Sequence, residues 1–299
     1  MLGLLCNPLN NKGFLKKDIM AVIDFHVHIG DPQEMKPWVV AYFQNYGKGS
    51  GAEGVIGKDG RLDPKFLVEL MKKNGVDYAV ILAEMSPITT GITSNEYVAE
   101  FCRAHEALIP FANLNPFLTT RLDEELERCI RELGMKGIKL YPTYQQFYPN
   151  DRMLYPLYAK AQDLKIPVMI HTGSSLFRGS RMKYGDPVLL DDVAVDFPEL
   201  TLIEVHSGRG FWYEAAFFLA QLHPHMYMEI SGLPPQNLLK YFPDLEKNAD
   251  KIIFGSDWPG MPGIAKNIET IQRLPLREET KKKILGGNAQ KILKLNINT

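Results

Sequence analysis

The chain has 299 residues, 45% hydrophobic and 23% charged, with a net charge of −1 at pH 7. That length suits one large α/β domain or two smaller ones, and the balanced charge excludes both a basic nucleic-acid footprint and an acidic tail. No apolar run reaches transmembrane length, and three widely spaced cysteines, Cys6, Cys102 and Cys129, point to a reducing, cytoplasmic setting.

Residues 1–20 read as a disordered leader. "LGLLC" has no basic region before it and is too short for a signal core. From Ala21 onward, short apolar runs alternate with amphipathic stretches. Eight runs read as strands: "AVIDFHVH", "VDYAVILA", "LIPFANLNP", "KGIKLYP", "IPVMIHTG", "LTLIEVHSG", "MYMEISG" and "KIIFGSDWP". Between them lie helical patterns. One runs from Asp63, a cap, through Pro64 to Gly75; another opens at Ser94; a third carries Leu122, Leu126, Ile130 and Leu133 and ends at Gly134. Repeated strand–helix alternation predicts a parallel sheet covered by helices. Eight units fit a (β/α)8 TIM barrel over residues 21–299, typically about 250 residues. A doubly wound sheet is the alternative, but its Gly-rich turn after the first strand is replaced here by His-x-His. The segment at about 30–60 has no clear strand and reads as an insertion or lid over the barrel mouth. "GSGAEGVIGK" within it lacks the spacing of a phosphate loop.

The polar residues fall at strand ends. In "IDFHVH", strict alternation puts Asp24, His26 and His28 on one face and Ile23, Phe25 and Val27 on the other. His171 ends strand five, His206 strand six and Asp257 strand eight. Four of the seven histidines thus reach the carboxyl face, where barrels carry their chemistry. The others, His105, His223 and His225, read as surface residues. Imidazole nitrogens and a carboxylate suit zinc and related divalent ions. His26, His28, His171 and Asp257 would form such a site with room for water; Asp257 could also accept a proton, and His206 would be a neighbouring acid/base. Lys139 points into the barrel, with Ile138 and Leu140 facing the helices. It reads as a desolvated base, a partner for a substrate carboxylate, a carbamate bridging two metals, or one half of an ion pair with Glu204, which parity also aims inward. No nucleophile elbow occurs, and Ser256 faces away from Asp257.

These ordered motifs, "DFHVH", "GIKLYP", "IPVMIHTG", "IEVHSG", "IIFGSDWP" and "GGNAQKIL", resemble the amidohydrolase superfamily, specifically its amidohydrolase-2 (aminocarboxymuconate-semialdehyde decarboxylase-like) branch, from about Met20 to Leu295. The resemblance implies a distorted (β/α)8 barrel with one divalent metal held by His26, His28, His171 and Asp257, and His206 as the catalytic or substrate-polarising residue. Other branches carry a carbamylated lysine where Lys139 stands. Zinc is the expected ion, with manganese or magnesium as alternatives. The resemblance also makes a homodimer plausible.

The reaction has two readings. The first is a hydrolase that activates a metal-bound water on an amide, lactone or related small carboxylated substrate. The second is a metal-dependent non-oxidative decarboxylase. A non-catalytic barrel with a structural metal is a distant third, since structural zinc sites are closed and thiolate-rich. Both enzymatic readings want an anionic small molecule. Lys139, Tyr141, Arg178 and Arg209 are the candidate substrate contacts, with Arg181 and Lys183 in the same loop as Arg178. Trp38, Trp212 and Trp258 are further candidates for the pocket wall. Neither nucleic acid nor membrane is expected as a partner.

Overall fold

A computed structural model describes residues 20–46, 61–261 and 263–297. The leader at 1–19 and the Gly-rich stretch at 47–60 lie outside the described residues. Eight parallel strands follow one another in chain order: β1 (Ile23–His28), β2 (Tyr78–Leu82), β3 (Leu108–Phe111), β4 (Ile138–Leu140), β5 (Val168–His171), β6 (Leu202–Val205), β7 (Met226–Glu229) and β8 (Ile252–Ile253). Regular ladders join β1 to β3 and β4 to β8. Two narrower seams close the ring. A bridge from Ala112 to Ile138 ties β3 to β4, and a bridge from Val27 to Trp258 ties β1 to the chain beyond β8. At the second seam Phe25 N donates to Phe254 O at 3.0 Å and His28 N to Trp258 O at 2.8 Å. The expected (β/α)8 barrel is what forms.

Two apolar layers follow from the strand alternation. Ile23, Phe25, Val80, Leu82, Phe111, Met169, Ile203, Val205 and Ile253 fill the barrel. Val27, Ile81, Ile138, Leu140, Val168, Ile170, Leu202 and Met228 face outward under the helices. The helix signals hold at their N-termini. Asp63 caps the helix Pro64–Lys73 by accepting from Lys65 N, and Ser94 caps Asn95–Cys102 by accepting from Tyr97 N. The segment expected to be an insertion contains a helix, Pro37–Tyr46, with proline at its first position. A short hairpin, Glu84–Ser86 with Gly91–Thr93, follows β2 and was not anticipated.

Strict alternation fails at two places, and each corrects an expectation. In β1, Asp24 pairs with Ala79 and Val27 with Ile81, so Phe25 and His26 together oppose Val80. This bulge turns both Phe25 and His26 inward and leaves Asp24 on the outer side. Asp24 therefore does not share a face with His26. In β6, Glu204 lies opposite Ile170 and Met228, both members of the outer layer. Parity counted back from His206 fails because the strand ends at Val205 and His206 itself is left-handed, with φ 63°. Glu204 faces the helices, so the Lys139–Glu204 pair does not form. Lys139 Nζ and both Glu204 carboxylate oxygens have no hydrogen-bond partner among the described residues.

Candidate metal centre and active site

A cavity of about 830 Å³, counting its open mouth, sits at the carboxyl end of the barrel. His26, His28, Glu84, Tyr141, Tyr144, His171, His206, Arg209 and Asp257 line it, together with Met35, Val39, Tyr42, Phe43, Leu176, Phe177 and Met261. The helix Pro37–Tyr46 thus contributes three side chains to the lining, Val39, Tyr42 and Phe43. Tyr42 OH donates to Gly260 O at 3.1 Å, and its ring meets Phe177 edge-on at 5.2 Å.

On the floor, three potential ligand atoms converge. His26 Nε2 lies 3.0 Å from His28 Nε2. Asp257 Oδ1 lies 3.5 Å from His26 Nε2 and 3.4 Å from His28 Nε2. Metal–ligand bonds of about 2.0–2.2 Å put neighbouring ligand atoms roughly 2.8–3.6 Å apart, so the three fit one coordination sphere. His171 lies outside the groups whose ligand atoms all fall within 4.8 Å of one another. It lines the same cavity, however, and its buried Nε2 has no hydrogen-bond partner among the described residues. An orphaned buried imidazole nitrogen beside this trio suits a fourth ligand. Burial holds His26, His171 and His206 well below the usual imidazole range, aided by the charges of Lys139 and Arg209. Neutral rings are the form that binds metal. Burial works against ionisation of Asp257, but His26, His28 and Arg209 outweigh it and hold the carboxyl well below its ordinary value.

Behind this floor stand groups that the sequence reading passed over. Glu229, the last residue of β7, takes a contact of 3.2 Å from His26 Nδ1 and accepts from Ser231 N and Ser231 Oγ, both at 2.8 Å. Burial pushes its carboxyl up to about 7, while Lys139 and Ser231 pull the other way. Room for it depends on Gly255, where a Cβ would lie 2.0 Å from Glu229 Oε1 and 2.8 Å from His26 Cβ. Glu84, just after β2, accepts from the Thr90 hydroxyl and lies 4.0 Å from His28 Nδ1. Burial raises its carboxyl too. The signal for Glu229 was its place, a carboxylate ending an apolar strand as His171 does.

His206 follows β6 and begins a run of three left-handed residues, His206, Ser207 and Gly208, with φ of 63°, 46° and 68°. Non-glycine residues in that region cost on the order of 1–3 kcal/mol each, which the surrounding contacts must offset. The turn stacks the His206 ring at 5.1 Å from His26 and sets it edge-on to His171 at 4.8 Å. Arg209 donates to Ser174 O at 2.9 Å and reaches within 3.9 Å of Asp257 Oδ2.

The candidate substrate contacts divide. Tyr141 and Arg209 line the cavity, whereas Lys139 and Arg178 do not. Lys139 is buried inside the barrel, with its ammonium 5.1 Å from the Tyr141 ring centre, and burial lowers it to about 7. Arg178 is exposed and lies over the Trp38 ring, whose Nε1 donates to Thr89 O. Trp38, Trp212 and Trp258 are absent from the cavity lining; the aromatic wall is Tyr42, Phe43, Tyr141, Tyr144 and Phe177. Of the histidines read as surface residues, His225 is exposed, whereas His105 and His223 are half-buried, His223 lying 2.7 Å from Asp191.

An eight-stranded barrel with histidines and an aspartate converging at its carboxyl mouth is the framework of a metal-dependent barrel enzyme. The profile of the Amidohydrolase family matches residues 23–295, and the chain belongs to that family. A gamma-resorcylate decarboxylase from Polaromonas sp. is 25% identical over 289 residues, covering 77% of this chain and 86% of the relative. Among solved structures, an uncharacterised TIM-barrel protein from Bordetella bronchiseptica matches with a TM-score of 0.75 at 24% identity, covering 92% of this chain and 98% of its own. A dihydroxybenzoic acid decarboxylase from Polaromonas sp. with bound manganese and the inhibitor 2-nitroresorcinol matches with a TM-score of 0.64 at 20% identity, covering 93% and 98%. No helix among the described residues is long and apolar enough to cross a membrane.

Proposed function

We propose that this chain is a metal-dependent non-oxidative decarboxylase of a small hydroxylated aromatic carboxylate, in preference to the hydrolase that the motifs first suggested. The observation that carries this reading is the cavity wall. Five aromatic rings, Tyr42, Phe43, Tyr141, Tyr144 and Phe177, stand around a floor of imidazoles and a carboxylate, with the Arg209 cation beside it. Such walls suit a flat ring, and the floor suits its anionic end. The likeness to a gamma-resorcylate decarboxylase, over 77% of this chain, supports the same substrate class.

His26, His28, His171 and Asp257 would hold one divalent ion. Manganese joins zinc as a leading candidate, because the Polaromonas decarboxylase structure contains it. When bound, the ion would supply a Lewis acid that orients and polarises substrate oxygens. Decarboxylation breaks the bond between the ring carbon and the carboxylate. The electron pair stays on the ring carbon, carbon dioxide leaves, and a proton takes the vacated position. His206 and Asp257 line the cavity as proton carriers. Arg209 orients the carboxylate, and the helix Pro37–Tyr46 acts as the rim that keeps water from the reacting carbon.

The test is product analysis. Protein loaded with manganese or zinc is incubated in D2O with gamma-resorcylate and related hydroxybenzoates, in parallel with a panel of amides and lactones. Carbon dioxide release with deuterium at the vacated ring carbon is the expected result. Acid release from the second panel, with no carbon dioxide from the first, would return the hydrolytic reading to first place.

A further inference from the structure

Ser231 Oγ occupies the centre of a triangle that resembles a second metal site. His26, His206 and Glu229 offer ligand atoms within 4.8 Å of one another. The hydroxyl, however, lies 2.9 Å from His26 Nδ1, 3.0 Å from His206 Nδ1 and 2.8 Å from Glu229 Oε2. Those are hydrogen-bond lengths, and the space an ion would need is filled by a serine.

His206 Nδ1 lies 2.8 Å from Ser231 O, and a carbonyl only accepts. That nitrogen therefore carries the proton, and Nε2 of a neutral His206 keeps a lone pair. Ser231 N donates to Glu229 Oε1 and Ser231 Oγ donates to Glu229 Oε2, so the hydroxyl's own lone pair faces His26 Nδ1. With Ser231 N, Ser231 Oγ and His206 N all donating to its two oxygens, Glu229 accepts, and His26 Nδ1–H has two acceptors, Ser231 Oγ and Glu229 Oε2 at 3.2 Å. The lone pair of His26 then sits on Nε2, the atom 3.0 Å from His28 Nε2.

We infer that Glu229 is a positioning residue that sets the tautomer of His26, and that the Ser231 carbonyl sets that of His206, so both rings present an unprotonated Nε2 to the cavity. The inference rests on the proposed roles of His26 as a ligand and His206 as a proton carrier. Second-sphere partners of this kind typically change metal affinity about 10–100-fold.

The experiment is nitrogen NMR of the full chain with 15N-labelled histidine, metal-free and zinc-loaded, with His26→Gln and His206→Gln assigning the signals. Both rings should carry their proton on Nδ1 in the metal-free protein. Glu229→Leu removes both carboxylate acceptors and frees Ser231 Oγ to donate to His26 Nδ1. His26 should shift to the Nε2–H form, and zinc affinity, measured by chelator competition, should fall at least about 10-fold. Ser231→Ala removes the hydroxyl's three buried contacts but keeps the Glu229 contact to His26 and the carbonyl contact to His206, so both tautomers should persist. Retention of Nδ1–H at His26 in Glu229→Leu would overturn the role of Glu229, as would a changed His26 tautomer in Ser231→Ala. An Nε2–H form of His206 in the wild type would overturn the carbonyl's role even if Glu229→Leu fails to fold. All spectra are recorded without substrate, so they stand or fall apart from decarboxylation.

Discussion

His26 and Asp257 meet across the seam at which the barrel closes: Asp257 N donates to His26 O at 2.9 Å, and Asp257 Oδ1 lies 3.5 Å from His26 Nε2. The same backbone contact that completes the barrel therefore brings the two candidate ligands together. Asp24 reinforces the seam from outside, accepting from His26 N at 3.1 Å and from Ser256 N at 2.8 Å. Closure of the fold and assembly of the site are one structural event.

Metal content should follow from that. Elemental analysis of the wild type should find about one divalent ion per chain. His28→Ala, His171→Ala and Asp257→Ala should each purify with little of it while keeping the wild-type circular dichroism spectrum, since the apolar layers of the barrel do not include these residues. Unfolding of the wild type on chelation would instead mark the ion as structural.

Arg209 should act on substrate binding more than on the ion. Arg209→Ala should raise KM for a hydroxybenzoate and lower kcat/KM by about 10–100-fold, with metal content unchanged. Arg209→Lys should restore little, because a lysine cannot reproduce the planar fork that reaches Ser174 O and the cavity together. A variant with wild-type KM would remove Arg209 from the carboxylate site.

Gly255→Ala should damage the floor from below. The added methyl would lie 2.0 Å from Glu229 Oε1 and 2.8 Å from His26 Cβ. Overpacking of this kind costs about 1–3 kcal/mol. Urea unfolding should show that loss, and the ion should be bound more weakly. Wild-type stability together with wild-type metal affinity would mean that Glu229 has another place to go.

Glu204 makes stability depend on pH. Burial raises its carboxyl well above the ordinary value, with no hydrogen-bond partner among the described residues to offset it. Between the unfolded and folded values the native state binds more protons than the unfolded chain, so this group lowers stability as pH rises above about 4.3. Glu204→Gln removes the effect. Its advantage over wild type in urea unfolding should be near zero at pH 4 and grow by up to about 1.4 kcal/mol per pH unit above that. Parallel curves from pH 4 to 7.5 would show that Glu204 finds a partner when ionised.

Much of this was legible in the chain itself. Eight apolar runs separated by amphipathic segments specify a barrel, because strand–helix alternation leaves few other ways to bury both layers. The histidines at the ends of runs one, five and six, and Asp257 after run eight, stand out because polar groups there have only the carboxyl mouth to face. Lys139 was placed inside the barrel by its apolar neighbours Ile138 and Leu140, which do face the helices.

The rest required the tertiary structure, for two physical reasons. Period-two reasoning holds only while the register is unbroken. The bulge at Phe25 and His26 and the left-handed turn at His206 each reset it, which is why Asp24 and Glu204 face outward. The site's supporting contacts also span the chain: His26 and Glu229 are 203 residues apart, yet their side chains touch. The aromatic wall likewise draws Tyr42, Tyr141 and Phe177 from three separate connections. Local pattern decides which strand ends carry chemistry; only closure of the ring decides which side chains meet there.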